Sequence, residues 1–134
     1  KSNKAKDMKA NNQVSLLFFW DRLERQIRIS GQVKKVSPKK SDDYFKVRPR
    51  GSQIGAWASP QSSVITGRSV LDTNTLELEK RFEGVKEIPR PEHWGGYRVI
   101  PESFEYWQGR PSRLHDRLVY ELHDGQWKLY RIAP

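Results

Sequence analysis

The stretch RQIRISGQVKKV, Arg25 to Val36, limits the fold more than any other. Ile27, Ile29 and Val33 fall on one side of an extended chain, and Arg28, Ser30, Gln32 and Lys34 on the other. A period of two marks a strand with one face against a core and one in water. VSLLFFW, Val14 to Trp20, lies just upstream and is apolar and aromatic almost throughout. It reads as a strand buried on both faces. The link DRLE is short enough to make the two a hairpin.

Strand-like segments also fill the C-terminal part: GYRVI, FEYWQ, RLVYEL and QWKLYRI. HDGQ, His123 to Gln126, supplies Asp124-Gly125 as a hairpin turn. The middle of the chain reads differently. SPKKSDDYFKVR predicts a helix with Ser37 as N-cap and Pro38 in its first turn. Pro49, after Arg48, stops it. GSQIGAWAS begins a second short helix capped by Ser52. Ser69 to Gly84 is a longer one, with Leu71, Leu78 and Phe82 as its apolar stripe and Gly84 as its stop. IPRPEHWGG is a Pro/Gly-rich connector, and Lys1 to Asn12 is basic and helix-tolerant. The expected fold class is mainly β or α+β: an antiparallel sheet, formed as a barrel, with interspersed helices.

A length of 134 residues suits a single domain, taken as residues 1–134. Five Trp, five Tyr and five Phe argue for a folded chain although 31% of residues are charged. There is no cysteine, which excludes disulfides and thiolate chemistry. No apolar run approaches the ~20 residues of a membrane helix. No His/Asp/Glu spacing points to a metal, and no Gly-rich phosphate loop is present. The net charge of +9 favours an anionic partner: nucleic acid, an acidic membrane or a phosphorylated small molecule.

Two clusters of residues have the chemistry for such a partner. In WQGRPSRLHDR, a strand from Arg113 onward would put Leu114, Leu118, Tyr120 and Leu122 on a core face. Arg113, His115 and Arg117 would share the other, where they repel one another unless an anion or open water lies there. Arg110 reads as a solvated loop residue. In DYFKVRPRGSQ, Tyr44 and Arg48 share a helix face at i and i+4. Arg50 and Ser52 follow at a helix start, so phenol, guanidinium, hydroxyl and free N–H donors suit a phosphate monoester. Gln61, Ser62 and Ser63 in SPQSS, and Gln26 on its strand, can read a heterocycle edge or simply make turns. Lys4 is a phosphate contact or a free surface lysine. Glu102 and Glu105 do not make a convincing acid pair.

FEYWQGRPSRLHDR, Phe104 to Arg117, closely resembles the signature of the pyridoxamine 5'-phosphate oxidase family. YFKVRPRGSQIGAWAS, QSSVI, HWGGYRV and the terminal RIAP resemble that family too, in its order. The resemblance implies an FMN-binding split β-barrel acting as a homodimer, with FMN at the subunit interface. It implies oxidation of pyridoxine or pyridoxamine 5'-phosphate to pyridoxal 5'-phosphate. Hydride would pass from the substrate's C4' to flavin N5, and dioxygen would reoxidise the flavin to give hydrogen peroxide. It assigns Tyr44, Arg48 and Ser52 to the substrate phosphate, and Arg113 and His115 to catalysis over the pyridine ring. Lys4, Gln26, Gln61, Ser62, Trp107 and Arg117 match FMN contacts.

The chain departs from the family in two respects. Ser2-Asn3-Lys4 stands where the family usually has Ser-Arg-Lys, so a guanidinium facing the FMN phosphate is absent. The family also has strands before this point, so the sequence resembles the enzyme's C-terminal portion and its N-terminal strands are expected to be missing. The expected location is cytoplasmic, with vitamin B6 phosphates as substrate and no nucleic acid or membrane as partner. The alternatives are a split barrel that binds FMN or pyridoxal phosphate without turnover, and a nucleic-acid-binding protein. The second of these would bind oligonucleotides with strong salt dependence.

Overall fold

A computed structural model describes residues 2–134. The chain packs as two compact units. The first holds the residues up to Ala10 together with Lys35–Tyr97, and the second holds Asn11–Lys34 with Arg98–Pro134.

The second unit is built on strands. In order these are β1 (Gln13–Trp20), β2 (Arg25–Lys35), β3 (Tyr97–Gln108), β4 (Asp116–His123) and β5 (Gln126–Arg131), and they lie in one sheet in that same order. β1 and β2 form the expected antiparallel hairpin, with Val14 opposite Gly31 and Phe18 opposite Ile27. Its link is a 3-10 turn over Asp21–Leu23, closed by Glu24 at φ 47. β4 and β5 pair through the Asp124-Gly125 turn, where both residues have positive φ. A two-residue turn of that kind matches the right-handed twist of the strands it joins. GYRVI and FEYWQ are one continuous strand, with Pro101 inside it.

Val33, on the expected inner face of β2, is buried. Gly31 is required by close approach: a Cβ there would lie 2.1 Å from the Ile100 carbonyl oxygen. β1 forms as a strand but is not buried on both faces. Leu17 is 62% exposed and Phe19 59%, and Leu16, Phe18 and Trp20 are exposed as well. β1 lies at the sheet edge, paired among the described residues with β2 alone.

The first unit is helical: α1 (Asn3–Ala10), α2 (Pro38–Lys46), α3 (Arg50–Ala58) and α4 (Arg68–Arg81). Ser37 caps α2 as its sequence predicts, accepting from the Lys40 amide at 3.2 Å. Ser52 does not cap α3. That helix starts at Arg50 after Pro49, and Ser52 lies in its first turn, its amide bonded to the Pro49 carbonyl. Proline's fixed φ makes it a ready helix entry without a side-chain cap. The core of this unit is Phe45, Ile54, Phe82 and Ile88, with Leu78, Trp57 and Trp94 packed on it. Arg50 donates to the Phe82 and Val85 carbonyls at 2.5 and 2.8 Å, which satisfies acceptors just beyond the end of α4. Among the described residues, no helix is long and apolar enough to cross a membrane.

Candidate functional site

The residues singled out by sequence fall into both units. Lys4, Tyr44, Arg48, Ser52, Gln61 and Ser62 are in the first. Gln26, Trp107, Arg113, His115 and Arg117 are in the second.

In the first unit, Tyr44 lies on the last turn of α2 and Arg48 just past its end. They meet on the ring of Trp94. Tyr44 stacks on it with centroids 6.0 Å apart and planes at 20°, and the Arg48 guanidinium carbon lies 4.9 Å from its centroid. Phe45 closes the Trp94 ring from the edge at 5.1 Å. Among the described residues Arg48 Nη1 is buried without a hydrogen-bond partner, and the guanidinium lies instead against the adjoining aromatic faces. Ser52 is exposed on the first turn of α3. Gln61 and Ser62 are exposed on the turn after α3, Ser62 at φ 63, and Lys4 is exposed on α1.

In the second unit, β4 begins at Asp116, later than expected. Pro111–Arg113 is a 3-10 turn in which Ser112 and Arg113 both have positive φ, 58 and 62. Arg113 and His115 are therefore not strand neighbours of Arg117, and Leu114 is 71% exposed, not core. The buried residue of β4 is Val119, on the Arg117 side, while Tyr120 and Leu122 on the other side, expected in the core, are exposed. Pro111 favours the turn because its φ is preset and it has no N–H for a ladder. Left-handed backbone at a bulky residue such as Arg113 stores strain of about 1–3 kcal/mol, a feature concentrated at functional positions.

Trp107, on β3, pairs across the sheet with Arg117 and lies against the His115 ring at 4.8 Å. His115 Nδ1 accepts from the Arg110 amide at 3.1 Å. A neutral ring so held carries its proton on Nε2. Trp107 and His115 line an open concavity of about 280 Å³ together with Phe19, Glu24 and Gly109. Gln26 is half-buried on β2, opposite Phe19.

Three contributors were not evident from sequence. Glu105 is only 8% exposed and accepts from Arg28 Nη2 at 2.5 Å and from Arg117 Nε at 2.8 Å. The Arg117 hydrogen bond first, with the Arg28 charge also contributing, holds its carboxyl below the ordinary value against the opposing effect of burial. Arg110 is not simply solvated: its Nε donates to Asp116 Oδ2 at 2.7 Å, and Arg131 donates to the same carboxylate. Trp94 is the third. The only trace of Glu105 in the sequence is a charge inside the aromatic run FEYWQ.

In the second unit the Trp107 indole and the Gln26 amide suit a flat heterocycle such as a flavin in kind, and in the first the Ser62 hydroxyl and Lys4 suit a phosphate in kind. Arg117 is already engaged by Glu105 and by the Ala133 carbonyl at 3.1 Å, so its orientation is fixed within this chain.

Comparison with solved structures gives the fold class. PhzG from Burkholderia lata 383, solved in complex with tetrahydrophenazine-1-carboxylic acid, matches with a TM-score of 0.88 at 32% identity, over 99% of this chain and 64% of that one. A pyridoxamine 5'-phosphate oxidase-related, FMN-binding protein from Nostoc punctiforme shares the fold with a TM-score of 0.66 at 13% identity, over 99% of this chain and 69% of that one. The chain thus has the split-barrel fold of such proteins, mainly β with interspersed helices.

A family model described as pyridoxamine 5'-phosphate oxidase matches residues 1–82. A second, the pyridoxine 5'-phosphate oxidase C-terminal dimerisation region, matches residues 94–134. The chain belongs to the pyridoxamine 5'-phosphate oxidase family. It is 55% identical to a pyridoxine/pyridoxamine 5'-phosphate oxidase of Synechocystis and 54% identical to one of Pseudomonas putida, in each case over 99% of its own length. It spans 62% and 61% of the length of those two relatives.

Proposed function

We propose that this chain works within a flavin-dependent oxidase that takes pyridoxine or pyridoxamine 5'-phosphate to pyridoxal 5'-phosphate. FMN is the cofactor, dioxygen the electron acceptor and hydrogen peroxide the second product. The observation that carries the reading is the Arg48 cluster: a guanidinium fixed on Trp94, beside the Tyr44 phenol, just before a helix with Ser52 in its first turn. A phosphate monoester is the ligand that this donor set fits.

FMN, when bound, supplies the hydride acceptor and the route of electrons to dioxygen. The residues of the chain bind and orient. Tyr44, Arg48 and Ser52 hold the substrate phosphate. Arg113 and His115 act over the pyridine ring, where His115 has Nε2–H to donate because its Nδ1 is occupied by the Arg110 amide. Gln26, Gln61, Ser62, Trp107 and Arg117 contact the flavin, with Lys4 near its phosphate. The functional form is a homodimer.

The likeness to PhzG supports a second reading, oxidation of a reduced phenazine-type ring. The Arg48 cluster favours the B6 phosphates, because the tetrahydrophenazine carboxylate of that complex carries no phosphate. The test uses the full-length protein saturated with FMN. A yellow protein that consumes oxygen and forms pyridoxal 5'-phosphate is expected. A colourless protein, or one that oxidises only the tricyclic acid, overturns the proposal.

A further inference from the structure

HWGGYRV supplies none of the ligand contacts that the family resemblance assigns, yet its tryptophan sits at the centre of the Arg48 cluster. We infer that Trp94 is a positioning residue for the phosphate site, holding the Arg48 guanidinium and the Tyr44 ring in place for a phosphate monoester. The inference rests on the phosphate site proposed above and adds a residue to it.

The segment carrying Trp94 is tied to the first half of α2 and to Val36 before it. Arg90 Nε donates to Asp42 Oδ1 at 2.7 Å, and the same guanidinium donates to the Trp94 carbonyl. The Gly96 carbonyl accepts from the Val36 amide at 3.1 Å. Gly95 and Gly96 let the backbone come close: a Cβ on Gly95 would lie 3.4 Å from Ser41 Oγ, and one on Gly96 would lie 3.2 Å from a Val36 methyl. The Trp94 amide bonds to the Pro91 carbonyl at 2.9 Å, which closes the turn. The Arg90 side chain is mostly buried, while its partner Asp42 remains open to water.

The ring so anchored faces the far end of the same helix. One aromatic surface serves Tyr44 by stacking and Arg48 by cation–π attraction. Arg48 Nη1 is buried with no hydrogen-bond acceptor, a costly state for a charged group unless something else stabilises it. The Trp94 and Phe45 faces, at 4.9 and 5.8 Å from the guanidinium carbon, are what the structure provides. Without the indole, Arg48 would lose the surface that restricts it and would turn toward water. Ordering it would then have to accompany binding.

The test compares Trp94→Leu and Trp94→Phe in the full-length, FMN-saturated protein. For Trp94→Leu, the KM for pyridoxine 5'-phosphate should rise by about three- to tenfold, with a much smaller change in kcat. Trp94→Phe, which keeps an aromatic face, should recover most of the loss. Binding of pyridoxal 5'-phosphate, measured by titration without turnover, should weaken by the same factor. An unchanged KM and unchanged binding in folded Trp94→Leu overturn the inference, as does a loss confined to kcat or to flavin content. If Trp94→Leu does not fold, Arg90→Lys loosens the same anchor, and it too should raise KM with flavin content intact. If the wild type binds pyridoxal 5'-phosphate but never oxidises a B6 phosphate, the proposed reaction fails. The titration then still decides the role of Trp94.

Discussion

Replacing Glu105 by Gln keeps the shape of the side chain and removes the charge that lies between Arg28 and Arg117. Arg28, itself half exposed, and Arg117 would then flank a buried neutral amide. The expected cost is about 1–3 kcal/mol at neutral pH, read by urea denaturation. The pH dependence has a definite sign. The Glu105 carboxyl is held below its ordinary value of 4.5 in the folded chain. Its contribution is therefore complete above that value and is lost as pH falls through the lower folded one. The stability difference between wild type and Glu105→Gln should shrink over that acid range. A difference that stays constant down to strongly acid pH would mean that the carboxylate charge is not the cause. Tyr130 and Glu121 show the exposed counterpart of such coupling. The Tyr130 hydroxyl donates to Glu121 at 2.6 Å, which holds the carboxyl down and the phenol up. Both are in water, and little stability depends on them.

Among the elements, β2 is the most demanding. Its Gly31 faces backbone atoms of β3, with the Ile100 oxygen at 2.1 Å and the Pro101 Cα at 2.8 Å from a notional Cβ. Backbone in the middle of a strand cannot move aside as a side-chain tip can. Gly31→Ala should therefore destabilise the protein by at least about 1–3 kcal/mol, and a shift of the thermal midpoint reports it. An unchanged midpoint would mean that β2 and β3 do not approach as closely as described. The helices are governed more locally. Ser37 and Pro38 start α2 through one side-chain bond and one preset φ, so that start was legible in the sequence. The onset of β4 was not. Alternation alone extends the strand back to Arg113; Pro111 signals a turn, but not that it runs on through Ser112 and Arg113 at positive φ.

At the scale of the whole molecule, the edge strand β1 leaves Leu16, Leu17, Phe18, Phe19 and Trp20 exposed. Leu16, Phe18 and Trp20 share one face of the strand and Leu17 and Phe19 the other, so apolar side chains are open on both faces. The proposed homodimer predicts sedimentation of the full-length protein as a dimer at micromolar concentration, and a monomer there would count against it. Ligand linkage gives a further readout. FMN at about a hundred times its Kd should add about 2.7 kcal/mol to stability if it binds the folded state alone. Asn3, where the family usually has arginine, should raise that Kd. Asn3→Arg should lower it, and an unchanged Kd would separate this position from the FMN phosphate.

The sequence by itself determined the strands and helices that depend on local chemistry. The β1–β2 hairpin, the Asp124-Gly125 turn, the Ser37 cap and the Leu78–Phe82 stripe follow from side-chain period, φ preference and short-range hydrogen bonding. It also displayed the motifs that mark the family, because those residues are contiguous. The tertiary structure decided which charges are neighbours. Glu105 meets Arg28 and Arg117 only because their strands share one sheet, 77 and 12 residues apart along the chain. Trp94 meets Arg48 and Tyr44 because its segment packs on α2, through Arg90, two glycines and the Phe45 ring. No local pattern encodes such contacts, since what joins those residues is the packing of elements that the sequence specifies one at a time.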